Sequence, residues 1–248
     1  MHFAGRPLEV DVSPGAWIAP ALRPFGEHVV GSLVPVVFDG YARVFHPAVH
    51  YVGDDDVDVR WAQVAAANRT VAHPAMEWGS ITGSMDFFDE ADQSPLWEQA
   101  PARGHLPVTV AGPLIDVLRR HTTSPDDVVF GVWSGWGTVV ADAPTLDLPA
   151  REHWLLRGPL DLAAANLAEE PSEQSASLWW PADRAWFVAT DIDLVTTYVG
   201  GSAACVTDLL TTAGLEAAAV PPDQRVTWDA DPVNPLPYDA PDGPGRSS

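Results

Sequence analysis

Apolar and polar positions along this chain follow two rhythms, one of helical and one of strand period, and neither persists for long. The helical spacing is clearest over 107–121, where Val110, Leu114, Val117 and Leu118 recur on one face. Pro107 suits a first turn there, and Arg119, Arg120 and His121 suit the negative end of the dipole. Shorter helices are predicted over 59–68, capped by Asp58, over 159–167, and over 202–212 with Val206, Leu209 and Leu210 inward. β-Branched and aromatic runs predict strands at 29–38 and 41–45 about a turn at Asp39 and Gly40, and again at 128–133, 138–140, 153–156, 186–190 and 194–199. Residues 73–103 are polar, aromatic and punctuated by Gly and Pro, and read either as irregular binding surface or as elements the pattern conceals. Strands and helices intermix without a βαβ rhythm. The predicted class is therefore α+β: a mixed or mostly antiparallel sheet flanked by about four helices, in one domain over 1–235, with a flexible Pro/Gly/Ser tail at 236–248.

Composition narrows the partners. At 46% hydrophobic and 9% aromatic the chain can bury a sizeable core. Its 34 acids face 13 bases, every one an arginine, for a net charge of −21. Such a surface repels phosphate and the anionic leaflet, which argues against nucleic-acid and membrane partners. The missing lysine fits either a GC-rich genome or a salt-adapted surface, and the abundance of Ala, Pro and Gly favours the first. The one cysteine, Cys205, rules out an internal disulfide and a cysteine-based zinc cluster, and its apolar surroundings predict a buried structural thiol. Residues 1–12 lack a basic segment followed by an apolar one, and nothing approaches 18 uninterrupted apolar residues, so a cytoplasmic location is expected by default.

One stretch, Trp179-Trp180-Pro181-Ala182-Asp183-Arg184-Ala185-Trp186, carries a resemblance. Together with Ala189-Thr190-Asp191-Ile192-Asp193, Thr197-Tyr198-Val199-Gly200-Gly201-Ser202 and Asp229-Ala230-Asp231-Pro232-Val233-Asn234, it resembles a family of actinobacterial proteins of unknown function. Tyr41 to Pro47, Val59 to Trp61 and Phe130 to Gly137 extend the likeness over most of the chain. The resemblance implies no activity, cofactor or site residue, but it agrees with a GC-rich origin for the missing lysine.

Three constellations remain as candidate chemistry. His46 and His50 are four apart, with His73 and Glu77 further on, and on a helix such a pair can share a divalent metal. Pro47 interrupts that spacing and the preceding residues read as strand, so coincidence among eight histidines is the simpler account. Asp191 and Asp193 would share a strand face and, beside Asp183 or Glu77, could hold a hard cation or act as an acid/base pair. The plainer reading is that they cap a turn or pair with an arginine, Arg184 being the obvious partner. The run Asp54 to Asp58 fails the EF-hand order and reads as a solvated loop, and Gly200-Gly201-Ser202 reads as a strand-to-helix turn with Ser202 as N-cap.

The third constellation is aromatic. Eleven tryptophans include the pairs Trp133/Trp136 and Trp179/Trp180, and adjacent strand residues face opposite ways, so at least one of Trp179 and Trp180 should line a groove or enter a second layer. The leading expectation is a non-catalytic binding or interaction protein, without cofactor, recognising a protein or small molecule. Its surface would be built from Trp133, Trp136, Trp179, Trp180, Asp183, Arg184, Asp191, Asp193 and Tyr198. The rival is a metal-dependent hydrolase using His46, His50, His73 and Asp191 or Asp193.

Overall fold

The computed structural model describes residues 2–3, 6–84, 96–136, 142–168 and 173–237. A short ladder joins β1 (His2–Phe3) to β2 (Arg6–Pro7), and a separate hairpin joins β4 (Ala48–Val52) to β5 (Asp55–Val59). The main sheet comprises β3 (Gly40–Phe45), β6 (Val128–Trp133), β7 (Thr145–Leu148), β8 (Arg151–Gly158), β9 (Leu178–Pro181), β10 (Phe187–Ala189), β11 (Thr196–Gly201) and β12 (Ala217–Ala219). Their order is β12-β3-β11-β10-β9-β6-β8-β7, and every neighbouring pair is antiparallel. The α-helices among the described residues are α1 (Trp61–Asn68), α2 (Trp78–Thr82), α3 (Val108–Arg120) and α4 (Ala203–Thr211). The α+β class follows directly. No helix of the described residues is long and apolar enough to cross a membrane.

Both faces of the sheet are covered, which is why its strands show little alternation. On one face Val44, Phe130, Trp154, Trp179, Val188 and Val199 pack beneath α3 and α4. On the other, Tyr41, Val129, Leu155, Trp180, Phe187 and Tyr198 pack beneath an irregular layer that includes Ile18, Val30, Val34, Val220 and Val226. Trp179 and Trp180 therefore enter two different cores: Trp179 lies 5.6 Å from the Trp186 ring, and Trp180 lies 5.7 Å from Phe187. A third cluster joins the β4–β5 hairpin to α1 and α2 through a run of rings, Phe45–Trp61–Trp78–Trp97, spaced 4.9, 5.3 and 5.2 Å.

The helix expected over 107–121 is α3, with Val110, Leu114, Val117 and Leu118 buried as predicted. The Ser202 hydroxyl caps α4 by accepting from the Cys205 N–H at 3.2 Å, and Cys205 is wholly buried. Leu210, expected inward, is exposed.

Other expectations are corrected. Residues 29–38 form no strand: Val30–Ser32 is a 3₁₀ turn whose Val30 and Gly31 N–H groups donate to the Gln224 and Pro222 carbonyls, not to a sheet neighbour. Pro35 and Gly31 interrupt that β-branched run, and beyond Gly31 its N–H groups turn back on the run itself, as Ser32, Leu33 and Val34 do, or reach Ala21, as Val36 does. The short helix at 159–167 is a 3₁₀ segment, Leu160–Ala164. Asp58 lies in β5 instead of capping α1. That cap comes from Glu216, distant in sequence, whose carboxylate accepts from the Trp61 and Ala62 N–H groups at 2.6 and 2.8 Å. The strand predicted at 138–140 lies outside the described residues, as does the tail beyond 237.

Candidate ligand cleft

A cleft of about 460 Å³ opens on the face of the sheet covered by the irregular layer. Its walls come from stretches far apart in sequence. The layer contributes Phe25, His28, Ser32 and Leu33, β3 contributes Arg43, and the residue before α2 contributes Glu77. Arg103, Arg151 at the start of β8, the β10–β11 loop from Asp191 to Val195, and Val226, Thr227 and Trp228 complete it. Trp228 is about half exposed on the rim. A recess of about 40 Å³ shares Phe25, Ser32, Leu33, Arg151 and Asp191 with the cleft and is further lined by Trp133, His153 and Ser177.

The floor is a buried ion pair. Arg43 lies on the same strand face as Tyr41, within the sheet, and is 1% exposed. Its Nη1 donates to the Met76 carbonyl at 2.9 Å, its Nη2 sits 3.0 and 3.1 Å from the two Glu77 oxygens, and its guanidinium lies 4.9 Å from the Phe45 ring centre and 6.0 Å from that of Tyr198. Burial works to lower the Arg43 pKa, but Glu77 and Tyr198 outweigh it and hold the arginine above its ordinary value. Neither Arg43 Nε nor Glu77 Oε1 has an aligned hydrogen-bond partner.

The wall is a second, partly exposed ion cluster. Arg151 Nη2 donates to Asp193 Oδ2 at 2.8 Å and to Asp191 Oδ1 at 3.4 Å, while its guanidinium lies between the Phe25 ring at 5.5 Å and the Trp133 ring at 5.6 Å. Asp191 Oδ1 also accepts from the Asp193 N–H at 3.0 Å, so the loop is an Asx turn closed by an arginine. The plain reading of the two aspartates is correct in kind, with Arg151 in place of Arg184. Gly104 holds this loop from behind: at φ +78° it donates to the Leu194 carbonyl, and a Cβ there would lie 2.7 Å from the Ile192 oxygen.

In the recess His153 and Ser177 are 4% and 3% exposed, and His153 Nδ1 and Ser177 Oγ have no hydrogen-bond partner. Burial, reinforced by the neighbouring Arg151 charge, brings the His153 pKa down to about 4.

The structure brings together only part of the predicted surface. Trp133, Asp191 and Asp193 meet at the cleft and its recess, and Trp136 packs edge-on against Trp133 at 6.0 Å. Trp179, Trp180 and Tyr198 are each 1% exposed, so they belong to the cores and offer no recognition surface. Asp183 accepts from Thr122, Thr123 and Ala185; burial works against its charge, yet these bonds hold its carboxyl below the ordinary value. Arg184 takes a left-handed turn at φ 55° and covers Trp17 at 5.2 Å. Both serve the turn after β9.

The three histidines do not converge, because each has its own partner. His46 is wholly buried, bonded through Nδ1 to the Ala102 carbonyl at 2.7 Å and through Nε2 to the Thr197 hydroxyl at 2.9 Å. His50 meets Glu98 at 2.8 Å, and His73 meets Asp231 at 2.9 Å. Among the described residues no group of three or more His, Cys, Asp or Glu is placed to hold a metal ion, so the ligand set expected for the hydrolase is not assembled. Cys205 is inert in the same sense: burial, with Asp208 nearby, pushes its thiol up to about 12.

Arg43, Arg151, Phe25 and Trp228 carry no local signal in the sequence. Each sits in a segment readable only as core strand or coil, and pairing across the sheet together with the covering layer brings them to one opening. Comparison with protein-family models, with curated proteins and with solved structures finds no match to this chain.

Proposed function

We propose that this protein is a binding protein whose cleft accepts a small molecule, recognition taking place without bond-making. The carrying observation is the cleft itself: about 460 Å³, within the range of ligand sites, walled by the layer, the sheet and the β10–β11 loop together. Its chemistry suits recognition. Apolar wall comes from Leu33, Leu194, Val195 and Val226, and an aromatic rim from Phe25 and Trp228. The polar groups are held in place by each other, Arg43 by Glu77 and Arg151 by the two aspartates, and such preorganisation lowers the ordering cost of binding. Of the tryptophans expected from the sequence this reading keeps Trp133, and it adds Trp228, which the sequence did not single out.

A fragment library screened by ¹H–¹⁵N correlation of the tryptophan indole groups tests this. Hits should move the Trp228 and Trp133 cross-peaks and leave those of buried Trp179, Trp180 and Trp186 in place. Hits confined to other sites, or none at millimolar fragment, would remove the cleft as the binding site.

A further inference from the structure

Resting on that reading, we infer that the recess is the inner subsite of the cleft, closed by Arg151, and takes an uncharged group that both donates and accepts a hydrogen bond, a hydroxyl or a carboxamide on an apolar body. The recess shares Phe25, Ser32, Leu33, Arg151 and Asp191 with the cleft, so these residues form the partition between the two. Its volume of about 40 Å³ amounts to about three water-sized positions, room for a small polar group.

Two polar side chains of the sheet line the recess without partners. His153 on β8 and Ser177 before β9 are 4% and 3% exposed, and neither His153 Nδ1 nor Ser177 Oγ makes a hydrogen bond. The Arg151 carbonyl works to raise the His153 pKa, but it makes no aligned bond to Nδ1. Buried polar groups are ordinarily paired, and two unpaired ones at a single recess mark a place where an incoming group gains two bonds. Both atoms are covered, so a ligand reaches them once the partition moves.

Arg151 is the part of the partition that can move. Its guanidinium lies between the Phe25 and Trp133 rings and is held only at its Nη ends, at 2.8 Å to Asp193, 3.4 Å to Asp191 and 3.3 Å to the Ala150 carbonyl, while its Nε makes no bond. Asp193, which makes the shortest of these contacts, is 73% exposed, and ion pairs with exposed carboxylates are weak. Swinging the side chain outward joins recess and cleft.

The lining decides the chemistry. Burial, and then the Arg151 charge, brings the His153 pKa down to about 4, so at neutral pH its ring offers one N–H and one lone pair, as a serine hydroxyl also does. Arg151 and Asp191, the charges on the lining, already pair with each other, so an entering ammonium or carboxylate would lose its water and find no counter-charge of its own. Leu22, Leu148 and Leu178 supply apolar wall for the body of the ligand.

Four probes of one shape test this on the full chain: benzyl alcohol, benzylamine, benzoate and toluene. They are titrated by calorimetry and followed at the Trp228 indole and the His153 ring resonances, which Trp228→Phe and His153→Gln assign. Benzyl alcohol should move both and bind about threefold to tenfold more tightly than each of the others, the scale of one neutral hydrogen bond. Ser177→Ala should remove most of that advantage and leave toluene unchanged; its fold should hold, because the lost hydroxyl has no partner. Arg151→Ala should speed association, since no guanidinium has to leave first, and an unchanged rate overturns the closure by Arg151. Equal binding of the alcohol and toluene, tighter binding of either charged probe, an alcohol affinity unaffected by Ser177→Ala, or a Trp228 response without one at His153 overturns the subsite and leaves the cleft standing. If no probe moves Trp228 while library fragments do, the subsite is again overturned. If neither does, the binding reading falls with it.

Discussion

Lowering the pH from 7.5 to 5.0 should destabilise this protein by an amount traceable to two histidines. His46 is wholly buried, and its pKa is brought down to about 4, first by burial and further by the His105 and Arg43 charges, against a hydrogen bond to Ala102. The partners dictate the tautomer: the Ala102 carbonyl can only accept, so Nδ1 carries the proton and Nε2 accepts from Thr197, whose hydroxyl in turn lies 2.7 Å from that of Thr190. Protonating Nε2 would require the Thr197 hydroxyl to turn round in a closed site. His153 is also brought to about 4, by burial and then Arg151.

The unfolded chain takes up these protons near the ordinary histidine value of about 6.5, while the folded chain resists until about pH 4. Between those values the unfolded state binds more protons, so stability is complete above about 6.5 and falls as the pH descends. The full gap amounts to roughly 3 kcal/mol per histidine, of which about 2 kcal/mol is lost by pH 5. Against a total of about 5–15 kcal/mol this is a large fraction. Glu77 and Glu216, both raised by burial, work in the opposite sense, so the wild-type slope alone does not isolate the histidines. Urea denaturation followed by tryptophan fluorescence at pH 7.5 and 5.0 should be run on wild type and on His46→Gln. The variant is less stable at pH 7.5, but its pH-dependent loss should be smaller by about 2 kcal/mol. An unchanged loss in His46→Gln would show that His46 is not neutral in the fold.

Three further outcomes are expected. Trp179→Ala and Trp180→Ala should each cost about 3–5 kcal/mol in denaturant titration, because each empties a different core; a folded, equally stable protein would contradict their burial. Arg43→Met should destabilise by about 3–5 kcal/mol by stranding Glu77 in the interior, and adding Glu77→Leu should recover much of that loss; no recovery in the double variant would refute an ion pair with its own coupling. Gly104→Ala should cost about 1–3 kcal/mol and move the Asp191 and Asp193 amide resonances, since a Cβ at φ +78° meets the Ile192 carbonyl; unchanged spectra would mean the loop does not depend on that approach.

Local chemistry settled a definite part of this protein. The α3 stripe of Val110, Leu114, Val117 and Leu118, the Ser202 cap on α4, the buried thiol of Cys205 and the strand at 128–133 are legible because each depends on neighbours within about a turn of the chain. The α+β class follows from their order along the chain. The opposed directions of Trp179 and Trp180 were also implied by strand geometry, but what each one meets was not: two cores receive them because both faces of the sheet are covered. The run at 29–38 has strand composition and is not a strand: Val30 and Gly31 donate to Gln224 and Pro222, nearly two hundred positions away in the chain, while Ser32, Leu33 and Val34 close local turns. The same long-range pairing gives α1 its cap from Glu216 and the Asp191–Asp193 turn its Arg151. The cleft is decided wholly at that level. Arg43, Glu77, Arg151 and Trp228 become one site only because antiparallel pairing and an irregular covering layer bring distant positions to a common opening, and no periodicity along the chain encodes that distance.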